Sequence, residues 1–174
     1  MRTIKKYAST LPVIALCLLI LGGAAAFAQK KFMILRTGRP AVKVMLSGMV
    51  EREDAKVPVE KAALVKSGEI LDWTITSVNE GNAPAKEYNA IGKIPAGTQF
   101  VAGSAKAEGS AAVTFSIDNG KSFSAMPTVD ERQADGSVKK MPAPGSMYHQ
   151  VRYSWSAPLN EGEKVNASYK VRLN

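Results

Sequence analysis

The sequence is poor in the residues on which covalent stapling and acid–base chemistry depend. Its 174 residues include one cysteine, Cys17, and one histidine, His149, and only 7% of them are aromatic. A single cysteine excludes an internal disulfide framework and any zinc site made of several thiolates. His149 has no nucleophile elbow or comparable motif around it. We therefore predict a protein that is not an enzyme and that uses no metal or cofactor.

The longest apolar run lies at the N-terminus. Three basic residues within the first six positions precede an apolar stretch over residues 11–21, and the small-x-small site Ala26-Phe27-Ala28 follows it. This is the layout of a secretory signal peptide, here residues 1–28. A retained membrane anchor is the alternative, because positions 11–28 carry no charge and roughly 18 residues is near the minimum for a membrane span. We predict export to a periplasm, the cell surface or the medium.

The positive net charge of +8 is distributed unevenly. Five basic residues and no acidic one lie between positions 30 and 43, whereas residues 44–174 carry 15 residues of each sign. Nucleic-acid binding needs a basic face with interleaved aromatics across the fold, and this pattern does not supply it. Residues 29–41 are predicted as a basic arm. The arm is either a solvated linker or a contact to a membrane surface or an acidic polymer.

An apolar run inside this arm makes it a candidate for interaction. The interaction residues that we predict are Lys30, Lys31, Phe32, Met33, Ile34, Leu35 and Arg36. An extended apolar segment can add as a strand to the open edge of a neighbouring sheet. Self-association is therefore one predicted mode of binding, beside a protein or polysaccharide partner at the cell surface.

The rest of the chain has a dominant period of two. Apolar and polar residues alternate from Val165 to Leu173, and again from His149 to Trp155. We predict these two runs as antiparallel neighbours, with His149 at the edge of the core. An earlier strand begins at Val42 and is expected to slip in phase at Gly48, as a β-bulge would cause.

About seven such strands without a convincing amphipathic helix predict an all-β fold, an immunoglobulin-like antiparallel β-sandwich over residues 42–174. Residues 125–147, rich in Pro, Gly and charge, are predicted as a long insertion between strands. Loops of this kind often carry binding surfaces. The alternative function is therefore an exported hydrolase or small-ligand-binding protein that uses this insertion. Carboxylates converging with His149 in a deep pocket would favour that alternative.

Four segments resemble a known family. They are residues 68–85, GEILDWTITSVNEGNAPA, and 94–104, IPAGTQFVAGS, with RYSW at 152–155 and YKVRLN at 169–174. They resemble the bacterial cell-surface repeat family catalogued as domain of unknown function eleven, here as a single copy over residues 42–174. The resemblance implies an immunoglobulin-like fold, export, and a structural or adhesive role in the envelope, with no catalytic residues to carry over.

The segment Ser116 to Phe123, SIDNGKSF, resembles the Asp-box hairpin of sialidase-like propellers. Asp118 is placed to accept backbone N–H bonds across the turn while Gly120 takes a positive φ. Because one copy cannot build a propeller, the motif predicts a structural hairpin.

Two further kinds of site stay open on the sequence. Calcium is compatible with two groups that lack the EF-hand order, namely Asp118 with Asn119, and Asp130 with Glu131 and Asp135. A Lys–Asn isopeptide crosslink between the first and last strands would join Lys43 to Asn166 or Asn174. The alternation, however, places all three side chains on the solvent face.

Overall fold

The computed structural model describes residues 38–52 and 55–174. The predicted signal peptide, residues 1–28 with its signal helix, and the predicted interaction residues 30–36 lie outside the described residues. Arg39–Asn174 form one compact unit. Among the described residues, no helix has the length and apolar character needed to cross a membrane.

The described chain is built from strands. Two short 3-10 turns, Val59–Lys61 and Gly145–Met147, are its helical elements. The strands, in chain order, are β1 (Val42–Arg52), β2 (Ala55–Pro58), β3 (Ile70–Asn79), β4 (Asn89–Lys93), β5 (Thr98–Phe100), β6 (Lys106–Ala107), β7 (Ala111–Ser116), β8 (Thr128–Arg132), β9 (Val138–Pro142), β10 (Gln150–Trp155) and β11 (Lys164–Leu173). The described residues thus form eleven strands, where the sequence predicted about seven. The additional strands β2, β6, β8 and β9 have at most five residues each, which is too short for a clear alternation.

All strand pairings are antiparallel, and the predicted all-β sandwich is confirmed. The large sheet has the order β2-β1-β3-β11-β5, with β6 also paired to β11. The small sheet has the order β4-β10-β7, and β8 pairs with β9 in a separate two-stranded hairpin. The core lies between the inner faces of the large and small sheets.

Two tyrosines tie the sheets together across this core. Tyr153 of β10 donates its phenol O–H to the Ser168 carbonyl at 2.7 Å, and Tyr169 of β11 donates to the Lys93 carbonyl at 2.6 Å. Each bond runs from one sheet to the other, and both side chains are buried. Burial raises the pKa of Tyr169 to about 12 and raises that of Tyr153 as well. The phenols are therefore neutral donors at physiological pH.

The predicted pairing of the last two strands is wrong. β10 pairs with β4 and β7, whereas β11 pairs with β3, β5 and β6 in the other sheet. The connection over residues 156–163 crosses the sandwich. An alternating pattern shows which face of a strand is buried but not which strand lies beside it. These two strands bury their apolar faces in the same core from opposite sides.

The prediction that His149 lies at the edge of the core is also wrong. His149 precedes β10, and its side chain is exposed. Its backbone is nevertheless paired, because its N–H donates to the Ser116 carbonyl at 2.8 Å and its carbonyl accepts from Ile94 at 2.9 Å. The backbone pairing of β10 therefore extends one residue before Gln150, at which the strand begins.

The predicted bulge at Gly48 is absent from β1 as the structure describes it. The register with β3 is continuous from Val42↔Asn79 to Glu51↔Ile70. Gly48 is buried against the ring of Trp73, where a Cβ would lie 2.7 Å from the nearest ring carbon. The alternation of apolar and polar residues in β1 changes at Gly48 because an aromatic ring of β3 occupies the space that a side chain would fill. No residue is inserted.

Candidate interaction surfaces

The insertion predicted over residues 125–147 folds as a hairpin. β8 and β9 pair from Thr128↔Pro142 to Arg132↔Val138. The turn between them is closed by a bond from the Gln133 N–H to the Ser137 carbonyl at 2.8 Å, and Gly136 supplies the positive φ of 83°. Among the described strands, β8 and β9 pair only with each other. We call residues 128–142 the β8–β9 hairpin.

Charges of both signs cover this hairpin. Asp130 lies opposite Lys140, and Glu131 lies opposite Lys139. Because successive side chains of a strand point to opposite faces, the two pairs lie on opposite faces. All four residues are exposed. With Arg132 and Asp135, residues 128–142 carry three acidic and three basic side chains, so the hairpin is a charged surface without net charge. The apolar Val138, 59% exposed, lies beside its turn.

The base of the hairpin is fixed to the sandwich. Pro127 and Ala143 are buried there, and the Ala143 N–H donates to the Pro127 carbonyl at 2.9 Å. Just beyond, the ring of Tyr148 lies 5.2 Å from the rings of both Phe100 and Phe115. A packed aromatic cluster of this kind holds its neighbours in one orientation. The hairpin thus projects from a rigid base.

The second surface is the outer side of β1. β3 pairs with β1 along nearly its full length, whereas β2 covers the opposite side only from Met49 onward. No other strand of the described chain pairs with residues 42–48 on that side. We call residues 42–48 the β1 edge. Its apolar side chains are exposed: Val44 by 55%, Met45 by 49% and Leu46 by 57%.

The β1 edge was not predicted as a site from the sequence. The signal was present as three consecutive apolar residues of β1, Val44-Met45-Leu46. A strand that is apolar on both faces is usually buried on both faces. Here it lies instead at the margin of the large sheet, where the small sheet does not reach.

A network of ion pairs occupies the outer face of the large sheet. The Glu51 carboxylate receives Lys170 at 2.5 Å and Lys56 at 3.0 Å, and Lys56 also reaches Asp72 at 2.9 Å. Hydrogen bonds from Lys170 and Lys56 lower the pKa of Glu51. These groups are partly exposed, so the network contributes modestly to stability. Its charged groups on the outer face of the sheet are paired with one another.

The Asp118 motif forms a closed structural turn. Asp118 accepts bonds from the Ser122 hydroxyl at 2.5 Å, the Ser122 N–H at 2.9 Å and the Ser116 hydroxyl at 2.7 Å. These bonds, those from Ser122 first, lower the pKa of Asp118 well below its usual range. Gly120 has φ 88°, and a two-way backbone bridge between Phe115 and Ser124 closes the loop. The predicted structural hairpin is present.

Ser116 also belongs to this turn. It is buried at the end of β7, where its hydroxyl accepts the Gly120 N–H at 2.7 Å. The alternation of β7 therefore stops at the turn, because the loop folds over the strand end. The carboxylate oxygens of Asp118 accept hydrogen bonds from Ser116 and Ser122, and these bonds stabilise the turn.

The other candidate sites are not brought together. Lys43 lies 3.4 Å from the Glu80 carboxylate, whereas the amide of Asn166 bonds Glu108 at 3.0 Å and accepts from Thr76 at 2.8 Å. Asn174 is exposed at the end of the chain. No group of three His, Cys, Asp or Glu side chains among residues 38–52 and 55–174 has the geometry of a metal site.

Two cavities of the described surface were compared with the position of His149. One open cavity of about 750 Å³ is lined by the charged residues around Glu51 and Glu69, and a smaller one of about 240 Å³ lies beside Tyr88 and Trp155. Neither is lined by His149. Neither cavity therefore has the convergence of His149 with carboxylates that would favour the hydrolase or small-ligand alternative.

No family model, curated protein or solved structure matches the chain. The resemblance to the cell-surface repeat family stays a prediction, and the function has to be argued from the described geometry itself.

Proposed function

We propose that the protein is an exported, non-enzymatic structural or adhesive module of the bacterial envelope or cell surface. In this proposal the sandwich is a rigid support, and the β8–β9 hairpin binds the partner, a protein or a polysaccharide. Export is supported by the N-terminal pattern of basic, apolar and small residues over positions 1–28. The family resemblance of residues 42–174 supports the structural or adhesive role.

The observation that carries the proposal is the β8–β9 hairpin. It adds no strand to either sheet of the described chain, and most of its side chains are exposed. Residues 128–142 therefore contribute little to the core, whereas an antiparallel hairpin of charged residues presents two ordered polar faces to a partner. The buried base at Pro127 and Ala143 lowers the entropy that would be lost on binding.

A shortened hairpin should separate binding from folding. In this variant Asn-Gly replaces residues 130–140, so that Val129 and Met141, which pair directly, flank a two-residue turn. We expect the variant to be exported and folded but to sediment with isolated cell envelopes at least about tenfold less than the unaltered chain, because the polar faces are gone. Fractionation of native cells and envelope sedimentation measure both properties.

A charge-exchanged hairpin serves as the matched variant. Exchanging Asp130 with Lys140 and Glu131 with Lys139 keeps the net charge and the opposite pairing across the strands. The exchange inverts only the positions of the acidic and basic side chains on the surface that a partner would contact. Loss of envelope binding in both variants supports the proposal. Unchanged envelope binding of the shortened hairpin, or an intact N-terminus in the cytoplasmic fraction, would refute it.

A further inference from the structure

The outer face of the small sheet carries an arginine whose side chain is held in place. Arg152 lies in the central strand β10 and points away from the core, because its neighbours Val151 and Tyr153 are buried. Its Nε–H donates to the Thr114 hydroxyl at 3.3 Å, and its guanidinium carbon lies 4.2 Å from the centroid of the Phe123 ring. A strand neighbour and an aromatic face thus fix the plane of the guanidinium.

The Arg152 guanidinium has no carboxylate partner among residues 38–52 and 55–174. The ion pairs there involve Lys43, Arg52, Lys56 and Lys170, and the one side-chain hydrogen bond of Arg152 uses Nε. The four N–H groups on its terminal nitrogens are therefore unpaired within the described chain. An arginine with a fixed plane and a free fork loses little conformational entropy when it binds a planar anion.

Polar side chains flank Arg152 on this face. The ladder between β10 and β4 places Ile91 opposite Arg152 and Lys93 opposite Gln150. Lys93 is exposed and lies diagonal to Arg152, at a separation of roughly 7 Å. Ile91, 50% exposed, is the one large aliphatic side chain at the outward positions of the three strands. The other outward positions are polar or small, namely Asn89, Ala112, Thr114 and Ser154.

The turn after β7 adds a third cation. A Cβ at Gly120 would lie 2.8 Å from the side-chain oxygen of Gln150, so the turn folds onto β10. Lys121 follows and is exposed. Asp118 is the one carboxylate of residues 118–123, and its oxygens already accept the hydrogen bonds of the turn. We call the outward residues of β4, β10 and β7, together with residues 118–123, the Arg152 face. It carries three positive charges and one negative charge.

We propose that the Arg152 face binds a polysaccharide that carries carboxylate groups. The Arg152 fork pairs with one carboxylate through two parallel N–H bonds, and Lys93 or Lys121 pairs with a second. The amide of Gln150 and the hydroxyl of Ser154 bond sugar hydroxyls beside them. The excess of positive charge favours an acidic partner. This surface is separate from the β8–β9 hairpin, so the inference goes beyond the function proposed above.

The composition of the Arg152 face favours a sugar polymer over an acidic peptide. Tight protein contacts depend on aromatic or apolar anchors that become buried in a pocket. Here one side of the Phe123 ring is already covered by Arg152, and Ile91 stands alone among polar neighbours. A polysaccharide needs amide and hydroxyl partners along an open surface, and the outward residues of the three strands supply them.

A titration with trigalacturonate, a trimer of a uronic acid, followed by NMR tests this site. The chain beginning at Gln29 retains the whole compact unit, and shifts resolved by residue separate the Arg152 face from the basic arm. We expect the Arg152 Nε–H and the neighbouring amides of β10 to shift, and neutral maltotriose to leave them in place. Arg152→Gln should raise the dissociation constant at these amides at least about fivefold, because the bidentate pair is lost. The control Lys61→Gln removes one charge at an exposed residue outside the face and should leave the constant unchanged.

Arg152→Lys separates the guanidinium fork from its charge. Lysine keeps the positive charge but lacks the planar fork, so we expect trigalacturonate to bind at least about threefold more weakly. Arg152 lies outside the core, so circular dichroism should show an unchanged fold for both variants. Full binding by Arg152→Lys would contradict the assignment, because a point charge would then be sufficient.

Other occupants of the Arg152 face give different results. Equal affinity for triglutamate at the same amides would assign the face to an acidic peptide and overturn the polysaccharide. Shifts confined to residues 29–43 or to the β8–β9 hairpin would show that the Arg152 face is not the site. The shortened-hairpin variant should still bind trigalacturonate, so failure of the envelope-binding test leaves this inference standing.

Discussion

Tyr169→Ala is expected to lower the free energy of unfolding by about 4 kcal/mol, the range for removing a large side chain from a packed core. Tyr169 is 1% exposed in the middle of β11, and its ring packs against Gly92 of the opposite sheet. Alanine removes that ring and leaves a cavity between the sheets. Equilibrium denaturation with urea, followed by circular dichroism, measures the loss.

Tyr169→Phe separates packing from hydrogen bonding. Phenylalanine keeps the ring but removes the bond to the Lys93 carbonyl, so we expect a loss of only about 1 to 2 kcal/mol. If Tyr169→Ala cost no more than Tyr169→Phe, the ring would not lie between the sheets, and the described packing of β11 on β4 would be wrong.

Asn79→Ala is expected to cost about 3 kcal/mol, because it strips several buried bonds at once. The Asn79 side chain is fully buried. Its amide oxygen accepts the N–H groups of Ala41 and Gly81, each at 3.1 Å, and its amide nitrogen donates to the carbonyls of Ala83 at 2.7 Å and Leu159 at 2.9 Å. One side chain thus joins the start of β1, the turn after β3 and the connection between β10 and β11. The same urea titration measures the effect.

Asn82→Ala is the matched control for this prediction. The Asn82 side chain makes one bond, from the Arg39 N–H at 2.8 Å, and that bond is exposed. Water can replace an exposed partner, so we expect a loss below about 1 kcal/mol. Equal losses for Asn79→Ala and Asn82→Ala would contradict the assignment of Asn79 as the buried junction of three segments.

The period-two pattern was sufficient to predict the fold class. β11 buries Ala167, Tyr169 and Val171 while Lys170 and Arg172 lie toward solvent, as the alternation predicts. The turn after β3 is of the same local kind, since Asn side chains bond the backbone two positions on, as Asn79 does with the Gly81 N–H. Both features are local, and a single strand or turn contains the information for them.

Long-range features were not predicted correctly. Gly48 and Gly92 lie within β1 and β4 because Trp73 and Tyr169 occupy the places that their Cβ atoms would take, and those rings come from other strands. The pairing of β10 with β4 and β7 likewise depends on how the connection after Trp155 crosses the sandwich. Such contacts join residues far apart in sequence, so a local pattern does not contain them.

The candidate surfaces also differ in how far the local sequence predicted them. Residues 125–147 were predicted as a long insertion, which the hydrolase or small-ligand alternative would use, and the structure shows a hairpin there, whose function stays a proposal. The predicted interaction residues 30–36 lie outside the described residues. The β1 edge was not predicted, because an apolar run such as Val44 to Leu46 usually indicates a buried strand. Its exposure depends on how far the small sheet extends, which the local sequence does not contain.

Native-state hydrogen exchange of the chain from Gln29, resolved by residue with NMR, tests the sandwich with its projecting hairpin most directly. We expect the slowest exchange for amides of β3, β10 and β11, which lie in the centres of the two sheets. Residues 128–142 should exchange much faster, since no other described strand pairs with them. Protection of residues 128–142 equal to that of β3, with β10 and β11 exchanging readily, would contradict the account.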